Sequence, residues 1–586
     1  MGHLIHTQGH IARGLACALL CFSIGVHARD VPLAPEAATG YQTKQAVSAK
    51  KFMVVAANPL AVDAGYKVLQ QGGSAVDAAI AVQMVLNLIE PQSSGIGGGA
   101  FLLHYDARTK KLAAYDGRET APQAATADMF LDADGKPQKF YDAVVGGKSV
   151  GVPGLLRMLE VAHARHGKLA WKKLFRPAIQ LAKNGFPISP RLNTLVAKDK
   201  FLSINDNARQ YFFDPDGNPK ANNNIQYNQV FSGTLNILAK RGADAFYEGN
   251  IAADIVQAVN GHAQNPGILS LEDLHNYRAK TREPVCGKYR DYKICSMPPP
   301  SSGGIALLQM LGMLEKFDLA AQRPGSSGAV HLISEASRLA YADRARYVAD
   351  SDFVDVPVTR LLNPSYLAQR AELIQAEKSM GVAQPGELAT EKISQADDNA
   401  LEFNSTSHIS IIDGKGNVVS MTTTIEDAFG SRLMVRGFLL NNQMTDFSFL
   451  AEENGLPVAN RIAPGKRPRS SMTPVMIFDA KNNVVGIVGS PGGSAIINYV
   501  AKTIVGILDW EMNMQQAIDL PNFGSRNGPT ELELGTDLEN ISAALKAMGH
   551  EVKIMELNSG LHGILKTRQG WQSGADPRRE GIAKGK

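Results

Sequence analysis

The hydrophobic rhythm changes several times along the chain, and each change predicts an element. Ser74-Ala75-Val76-Asp77 is a capping-box pattern that opens an apolar run to about Ile89, where Pro91 ends it, so a helix is predicted. Glycines follow in Ser94-Gly95-Ile96-Gly97-Gly98-Gly99, and Phe101 to Tyr105 and Leu112 to Asp116 then read as two strands. Helix, glycines, strand is the wrong order for a dinucleotide fingerprint, which needs strand, glycines, helix. Helical periodicity resumes from Gly154 through His166, Leu174 through Asn184 and Ala329 through Ala349. The last of these holds Arg338, Tyr341, Asp343, Arg344 and Arg346, whose charges read as solvated faces or packing ion pairs. From Ser405 to Gly493 the pattern shortens to β-type runs broken by Asp-Gly, Asn-Asn and Pro-Gly, before a final helix from Ala495. The fold class is mixed α/β, with no fixed-period repeat and no low-complexity linker.

An earlier apolar run, Gly14 to Val26, follows Arg13, is too short to span a bilayer and ends at the small-x-small site Val26-His27-Ala28. Residues 1–28 therefore read as a signal peptide removed on export. That places the mature chain in the periplasm or outside the cell, with no stable membrane span. Hydrophobic content of 44% and charged content of 20% are those of a globular chain. Its 586 residues suffice for two domains or one large layered domain. A net charge of +4, with no Lys/Arg cluster interleaved with aromatics, excludes a nucleic-acid footprint. Cys17 and Cys21 fall inside the predicted signal. Cys286 and Cys295 end a segment that reads as a short hairpin; a disulfide and two reduced, partly buried thiols are both open.

The chemistry concentrates after residue 405. In Thr406-Ser407-His408-Ile409-Ser410-Ile411-Ile412, β-branched residues alternate with small polar ones up to the turn Asp413-Gly414-Lys415-Gly416-Asn417. If Ile412 pairs with Val418 across that turn, Thr406 falls opposite Thr424, with Cβ atoms about 4.5–5.5 Å apart. A slip of one residue would turn one threonine to the other face. A threonine without a histidine–carboxylate partner has one route to nucleophilicity: its own α-amino group, once the preceding peptide bond is broken. That amine, with an ordinary pKa of about 7.7–8.0, is partly neutral near pH 7 and can accept the hydroxyl proton. Cleavage of Ser405–Thr406 would create both groups together. On spacing alone, two plain strand threonines on a half-polar face are the commoner reading.

Other segments shift that balance. Gly489-Ser490-Pro491-Gly492-Gly493-Ser494 follows the apolar strand Val484 to Val488 and precedes a helix, so its N–H groups can point at an anionic oxygen; a tight turn is the alternative. Ser470-Ser471 and Gln443-Met444-Thr445-Asp446 add hydroxyl, amide and carboxylate groups, and Arg118 offers a fork for a carboxylate. Two other motifs lack their context. Gly147-Lys148-Ser149-Val150-Gly151 matches a nucleophile elbow, but Val152-Pro153-Gly154 intervenes and Pro153 reads as the helix start. His163 and His166 have no glutamate between them and sit at a polar helix end, a weak metal pair.

Taken together, these segments resemble the γ-glutamyltranspeptidase family from about Val54 to the C-terminus. The residues that match are the glycine segments above, Asp116-Gly117-Arg118-Glu119, Thr406-Ser407-His408, Phe429-Gly430-Ser431, Asn441 through Ser448, and Lys466-Arg467-Pro468-Arg469-Ser470-Ser471-Met472. The resemblance implies an N-terminal-nucleophile hydrolase, a four-layer αββα sandwich. It would be made as one precursor and cut into a large subunit, 29–405, and a small subunit, 406–586, which interleave as one domain and stay associated. By matching position Thr406 is the nucleophile, Thr424 orients it, and the amides of Gly492 and Gly493 form the oxyanion hole. Arg118, Ser470 and Ser471 would hold the substrate α-carboxylate, and Glu426, Gln443 and Asp446 its α-ammonium.

The implied substrates are glutathione and other γ-glutamyl amides, with water, amino acids or dipeptides as acceptors, and no metal or organic cofactor is required. Two features depart from the family pattern. Glu426 stands where many members have asparagine, and the stretch Phe447 to Arg469 has no tyrosine or tryptophan to serve as an aromatic lid. Two rivals remain: an acylase of the same superfamily acting on glutaryl-cephalosporin amides, and an exported binding protein that never cuts itself.

Overall fold

The turn at Asp413 closes as its composition predicts. Asp413 Oδ1 accepts from the N–H groups of Lys415 and Asn417 at 2.8 and 3.0 Å, joining strands Ser405–Ile412 and Val418–Glu426. Their register runs from Ile412 opposite Val418 to Thr406 opposite Thr424. Both strands are buried throughout, and the two-residue period divides their side chains. Ile409 and Ile411 pack into the core beneath helix Ala75–Ile89, whereas Ile412 joins the core of a second sheet. Ser410 Oγ donates to His562 O of that second sheet at 3.1 Å. Thr406 shares this inward-facing parity.

The structure is a computed structural model; it describes Met1, Ala38 and residues 40–388, 395–398, 400, 402 and 405–586. The predicted signal peptide, beyond Met1, lies outside the described residues.

The hairpin is the centre of a seven-stranded sheet ordered Ile582–Gly585, Met53–Ala56, Ser405–Ile412, Val418–Glu426, Gly99–Asp106, Lys111–Gly117 and Lys280–Arg282. A second seven-stranded sheet is ordered Ser48–Ala49, Gly570–Ala575, His562–Thr567, Val484–Gly489, Val475–Phe478, Tyr292–Ser296 and Val285–Tyr289. The two pack face to face. Helices Pro59–Gln70, Ala75–Ile89 and Leu155–His166 cover the outer face of the first sheet. Gly303–Leu314, Ile496–Leu508 and Met514–Asp519 cover that of the second. The result is a four-layer αββα sandwich, the architecture that the resemblance implies.

Helix Ala75–Ile89 is buried along its whole length, which is why its sequence is apolar almost without interruption rather than striped. Its capping box forms as expected: Ser74 Oγ accepts from Asp77 N at 3.1 Å and Asp77 Oδ2 from Ser74 N at 2.9 Å. The predicted helix near 154 begins at Leu155 with Gly154 as its N-cap, so Pro153 is not the start. Gly154 is held there because its N–H donates to Gly98 O at 3.0 Å. The segment read as one helix from Leu174 to Asn184 is two, Trp171–Leu174 and Arg176–Asn184. Cys286 and Cys295 oppose each other in the edge hairpin of the second sheet and are joined in a disulfide. Among the described residues no helix is long and apolar enough to cross a membrane.

Candidate active site

In the uncut chain Thr424 sits at the junction of three hydrogen bonds. Its hydroxyl donates to Ser405 O, the carbonyl of the bond before Thr406, at 2.7 Å. It accepts from Glu426 N at 2.8 Å and from Thr406 Oγ1 at 3.4 Å. One proton and two lone pairs are thus all used, and the carbonyl that Thr406 would attack is polarised by the residue opposite it. The ladder slips here: Thr406 faces Thr424 but Ser405 faces Glu426, leaving Ile425 as a bulge and Glu426 at φ 79°. A non-glycine residue in that region is strained by roughly 1–3 kcal/mol, and such bulges turn side chains toward sites.

His408 is the one histidine near in sequence, and its ring is already committed. Its Nδ1 lies 2.9 Å from Thr422 Oγ1 and its Nε2 3.1 Å from Ser410 Oγ, and burial pushes its pKa well down. It is not placed to take the Thr406 proton. Gly98 lets the glycine segment close over the hairpin, since a Cβ there would come within 2.1 Å of Thr424 O. Gly492, at φ 138°, and Gly493 precede the helix Ile496–Leu508, and their N–H groups have no acceptor among the described residues. Two unpartnered donors at a buried helix entrance suit a developing oxyanion.

A narrow pocket opens onto Thr406 and brings together Arg118, Thr424, Glu426, Gln443, Asp446, Ser470, Ser471 and Gly493. Gly492 lies beside it as the residue before Gly493. Arg118 is buried and fully engaged: Nη2 donates to Asp446 Oδ2 and to Arg469 O at 2.8 Å, and Nε to Pro468 O at 3.1 Å. With its amide suitably oriented, Gln443 accepts from Arg118 Nη1 at 2.7 Å and donates to Glu119 Oε1 at 3.2 Å. Burial raises the Glu119 carboxyl to about 8 although Arg118 Nη1 lies 3.7 Å from its Oε2, and Asp446, bonded to Nη2, is the closer counter-ion of Arg118. Burial also lifts Asp446, to about 6 despite Arg118, and its Oδ1 has no donor among the described residues. A buried Arg–Asp pair in which one carboxylate oxygen keeps no donor sets charges of both signs side by side at the pocket, as the two ends of a zwitterion require.

Residues 61–586 match the family described as gamma-glutamyltranspeptidase. The chain belongs to the γ-glutamyltranspeptidase family. A glutathione hydrolase proenzyme of Bacillus subtilis (strain 168) is 38% identical over 547 residues, 92% of this chain and 91% of its own. An acylase ACY 1 proenzyme of Pseudomonas sp. (strain SE83) is 35% identical over 540 residues, 91% and 93% of the two chains. The crystal structure of a cephalosporin acylase from Bacillus halodurans superposes with a TM-score of 0.80 at 25% identity, covering 95% of this chain and 99% of its own. This γ-glutamyltranspeptidase-family chain is accordingly an enzyme of the N-terminal-nucleophile hydrolase class.

Asn441 and Asn442, which carry no role in the sequence motif, hold the walls of the pocket in place. Asn441 uses all its amide valences: Oδ1 accepts from Gly151 N and Gln443 N, both at 2.9 Å, and Nδ2 donates to Gly97 O and Gly151 O at 2.7 and 2.9 Å. It binds two glycine segments to the turn Gln443–Asp446. Asn442 Nδ2 donates to Glu426 Oε2 and to Thr445 Oγ1 at 2.9 Å, fixing the strained Glu426 side chain.

The discarded motifs lie elsewhere. Ser149 is buried with its hydroxyl donated to Val144 O at 2.5 Å, and His166 stacks on His104 with centroids 3.7 Å apart. His331, Glu335 and His550 are grouped like metal ligands, but their atoms form a closed relay. His331 Nε2 faces Gln375 O at 2.7 Å and its Nδ1 faces His550 Nε2 at 2.7 Å. His550 Nδ1 meets Thr530 Oγ1 at 2.8 Å. Arg338 holds both Glu335 and Thr530, so a cation there would face a guanidinium.

Proposed function

We propose that the chain is exported, cuts itself before Thr406, and transfers the γ-glutamyl group of glutathione and related amides to water or to amino acid or dipeptide acceptors. The observation that supports this most is the Thr406–Thr424–Ser405 arrangement beside an Arg118–Asp446 pair. In the uncut chain Thr406 Oγ attacks the Ser405 carbonyl while the Thr424 hydroxyl polarises its oxygen. The peptide becomes an ester, and water releases residues 406–586 with a free α-amine at Thr406.

In the cut enzyme that amine takes the Oγ proton as Thr406 attacks the γ-carbonyl of the donor. Negative charge on the carbonyl oxygen meets the N–H groups of Gly492 and Gly493, each such donor being worth about 2.7–4 kcal/mol at the transition state. The amine leaves with the proton, a γ-glutamyl ester remains on Thr406, and water or an acceptor amine resolves it. Arg118, Ser470 and Ser471 hold the α-carboxylate; Asp446, Glu426 and Gln443 hold the α-ammonium. The deciding assay is turnover of a γ-glutamyl anilide with and without a dipeptide acceptor; absence of both hydrolysis and transfer by the cut protein would end this reading.

The acylase relatives support a second reading, a glutaryl amidohydrolase. Glutaryl lacks the α-ammonium, so the carboxylates of Asp446 and Glu426 decide between them. Replacing Glu426 by alanine should weaken γ-glutamyl substrates more than glutaryl ones. A charged hydrogen bond of about 1.5–3 kcal/mol predicts a shift of roughly ten- to more than a hundredfold in the ratio of kcat/KM values, less where Asp446 compensates. An unchanged ratio would take Glu426 out of the ammonium site.

Asp446 must be ionised to hold an ammonium. With its carboxyl raised to about 6, kcat/KM for a γ-glutamyl anilide should fall as pH drops through that value. Asp446→Asn should flatten this limb of the profile while lowering its plateau.

A further inference from the structure

Two buried arginines behind the pocket have no assigned task. Arg344, on helix Ser327–Tyr347, and Arg469 are both buried, and their carboxylate partners among the described residues are all on the segment just before the cut. Arg344 Nη2 donates to Glu402 Oε1. Arg469 Nη2 lies 2.8 Å from Asp398 Oδ2 and 3.5 Å from Glu402 Oε1. The other Glu402 oxygen accepts from Ser471 Oγ, and Arg344 Nη2 also donates to Ser471 Oγ, at 2.7 Å. Arg344 is anchored from behind by Nε donating to Ser302 Oγ at 2.8 Å.

Glu402 lines the same narrow pocket as Thr406 and Asp446, although it lies four residues before Thr406 on the far side of the bond to be cut. Its carboxylate is gripped on both oxygens by one hydroxyl and two guanidiniums, and is held down to about 2 by Arg344 and Arg469 in spite of burial. Ser471 is the hydroxyl expected to bind a substrate carboxylate. A buried guanidinium without an anion is costly. Once the bond after Ser405 is cut, Glu402 is no longer joined through it to Thr406, and a substrate carboxylate can replace it.

We infer that Arg344 and Arg469, with Ser471, form the rear wall of the carboxylate subsite, and that Glu402 fills it in the uncut chain as an internal stand-in for the substrate carboxylate. The inference rests on the γ-glutamyl reading for the ligand but not for the geometry. The uncut protein is therefore self-blocked at the head-group site as well as lacking its α-amine. Arg344 is a specificity residue that acts on binding, not on the chemical step.

The test uses calorimetric titration of L-glutamate and of glutarate into three proteins: the cut wild type, uncut Thr406→Ala, and uncut Thr406→Ala/Glu402→Gln. L-glutamate should bind the cut wild type, bind Thr406→Ala at least tenfold more weakly, and regain at least tenfold in the double variant. A double variant that binds no better than Thr406→Ala, when the cut wild type does bind, overturns the inference alone. A cut wild type that binds neither ligand overturns the head-group reading with it. In the cut enzyme Arg344→Gln, checked for two-band processing and near-UV circular dichroism, should raise KM for a γ-glutamyl anilide roughly ten- to a hundredfold with kcat within about threefold. An unchanged KM removes Arg344 from the subsite. Should Arg344→Gln fail to process, the Glu402 titrations still decide.

Discussion

Thr406→Ala should leave a single uncut chain with no measurable turnover. The wild-type protein should instead give two bands, the smaller beginning Thr-Ser-His-Ile. The hydroxyl is required twice, first to attack Ser405 C and then to attack the donor, and the α-amine that serves the second step does not exist until the first is complete. Loss of a nucleophile alone costs on the order of 10⁴-fold or more in kcat. Here the loss is compounded, because Glu402 keeps its place at the pocket wall against Arg344 and Ser471. N-terminal sequencing of the smaller band is the decisive check: any start other than Thr406 would move the nucleophile elsewhere. Thr424→Ala separates the steps. It keeps the nucleophile but removes the donor 2.7 Å from Ser405 O, so cutting should slow while remaining detectable.

The second large effect concerns the charge lock. Arg118→Ala strands Asp446, and Asp446→Ala strands Arg118, each a largely buried charge. Truncating one member of a buried charge pair costs about 2–5 kcal/mol, which predicts a loss of roughly thirtyfold to several thousandfold in kcat/KM for γ-glutamyl substrates. Cutting should continue in both, since neither side chain touches Ser405, Thr406 or Thr424. Two processed variants with wild-type kcat/KM would show that the head-group pocket lies elsewhere. Arg118→Lys is the informative control: a point charge can still neutralise Asp446 but cannot also reach Pro468 O, Arg469 O and Gln443 as the planar fork does.

The nucleophile hairpin was legible because everything that sets its register is local. An Asp-Gly turn and an alternating strand suffice to put Thr406 opposite Thr424. The capping box at Ser74 and the glycine turn before helix Ile496–Leu508 were legible for the same reason, although that helix is not the final one expected, since Met514–Asp519 follows it. Convergence of Arg118 with Asp446 and Ser471 was not legible, since Arg118 lies more than three hundred positions before the other two and only the family resemblance joined them. Three things escaped even that. The bulge at Ile425 leaves no mark, because neither isoleucine nor glutamate advertises a left-handed neighbour. Arg344 reads as either a solvated helix-face charge or a packing ion pair; it is the second, but nothing in the sequence names Glu402 as its partner. Glu402 belongs to no motif in the sequence, and only the fold brings it to the pocket wall.

The order of strands has a thermodynamic consequence for a chain cut before Thr406. In the first sheet, strand Met53–Ala56 lies between Ile582–Gly585 and Ser405–Ile412, and in the second, Ser48–Ala49 borders Gly570–Ala575 while Val475–Phe478 borders Tyr292–Ser296. Each fragment thus supplies strands that the other fragment must flank, and neither holds a complete sheet. The fold is reached by a continuous chain, for which bringing these strands together is an intramolecular closure. After scission the same contacts persist, but the reverse route from separated fragments must assemble two partial sheets with exposed edges, at a cost that depends on their concentration. The mature enzyme would then be held by the height of its unfolding barrier rather than by a reversible equilibrium, a protein that folds once and afterwards can only last or be lost.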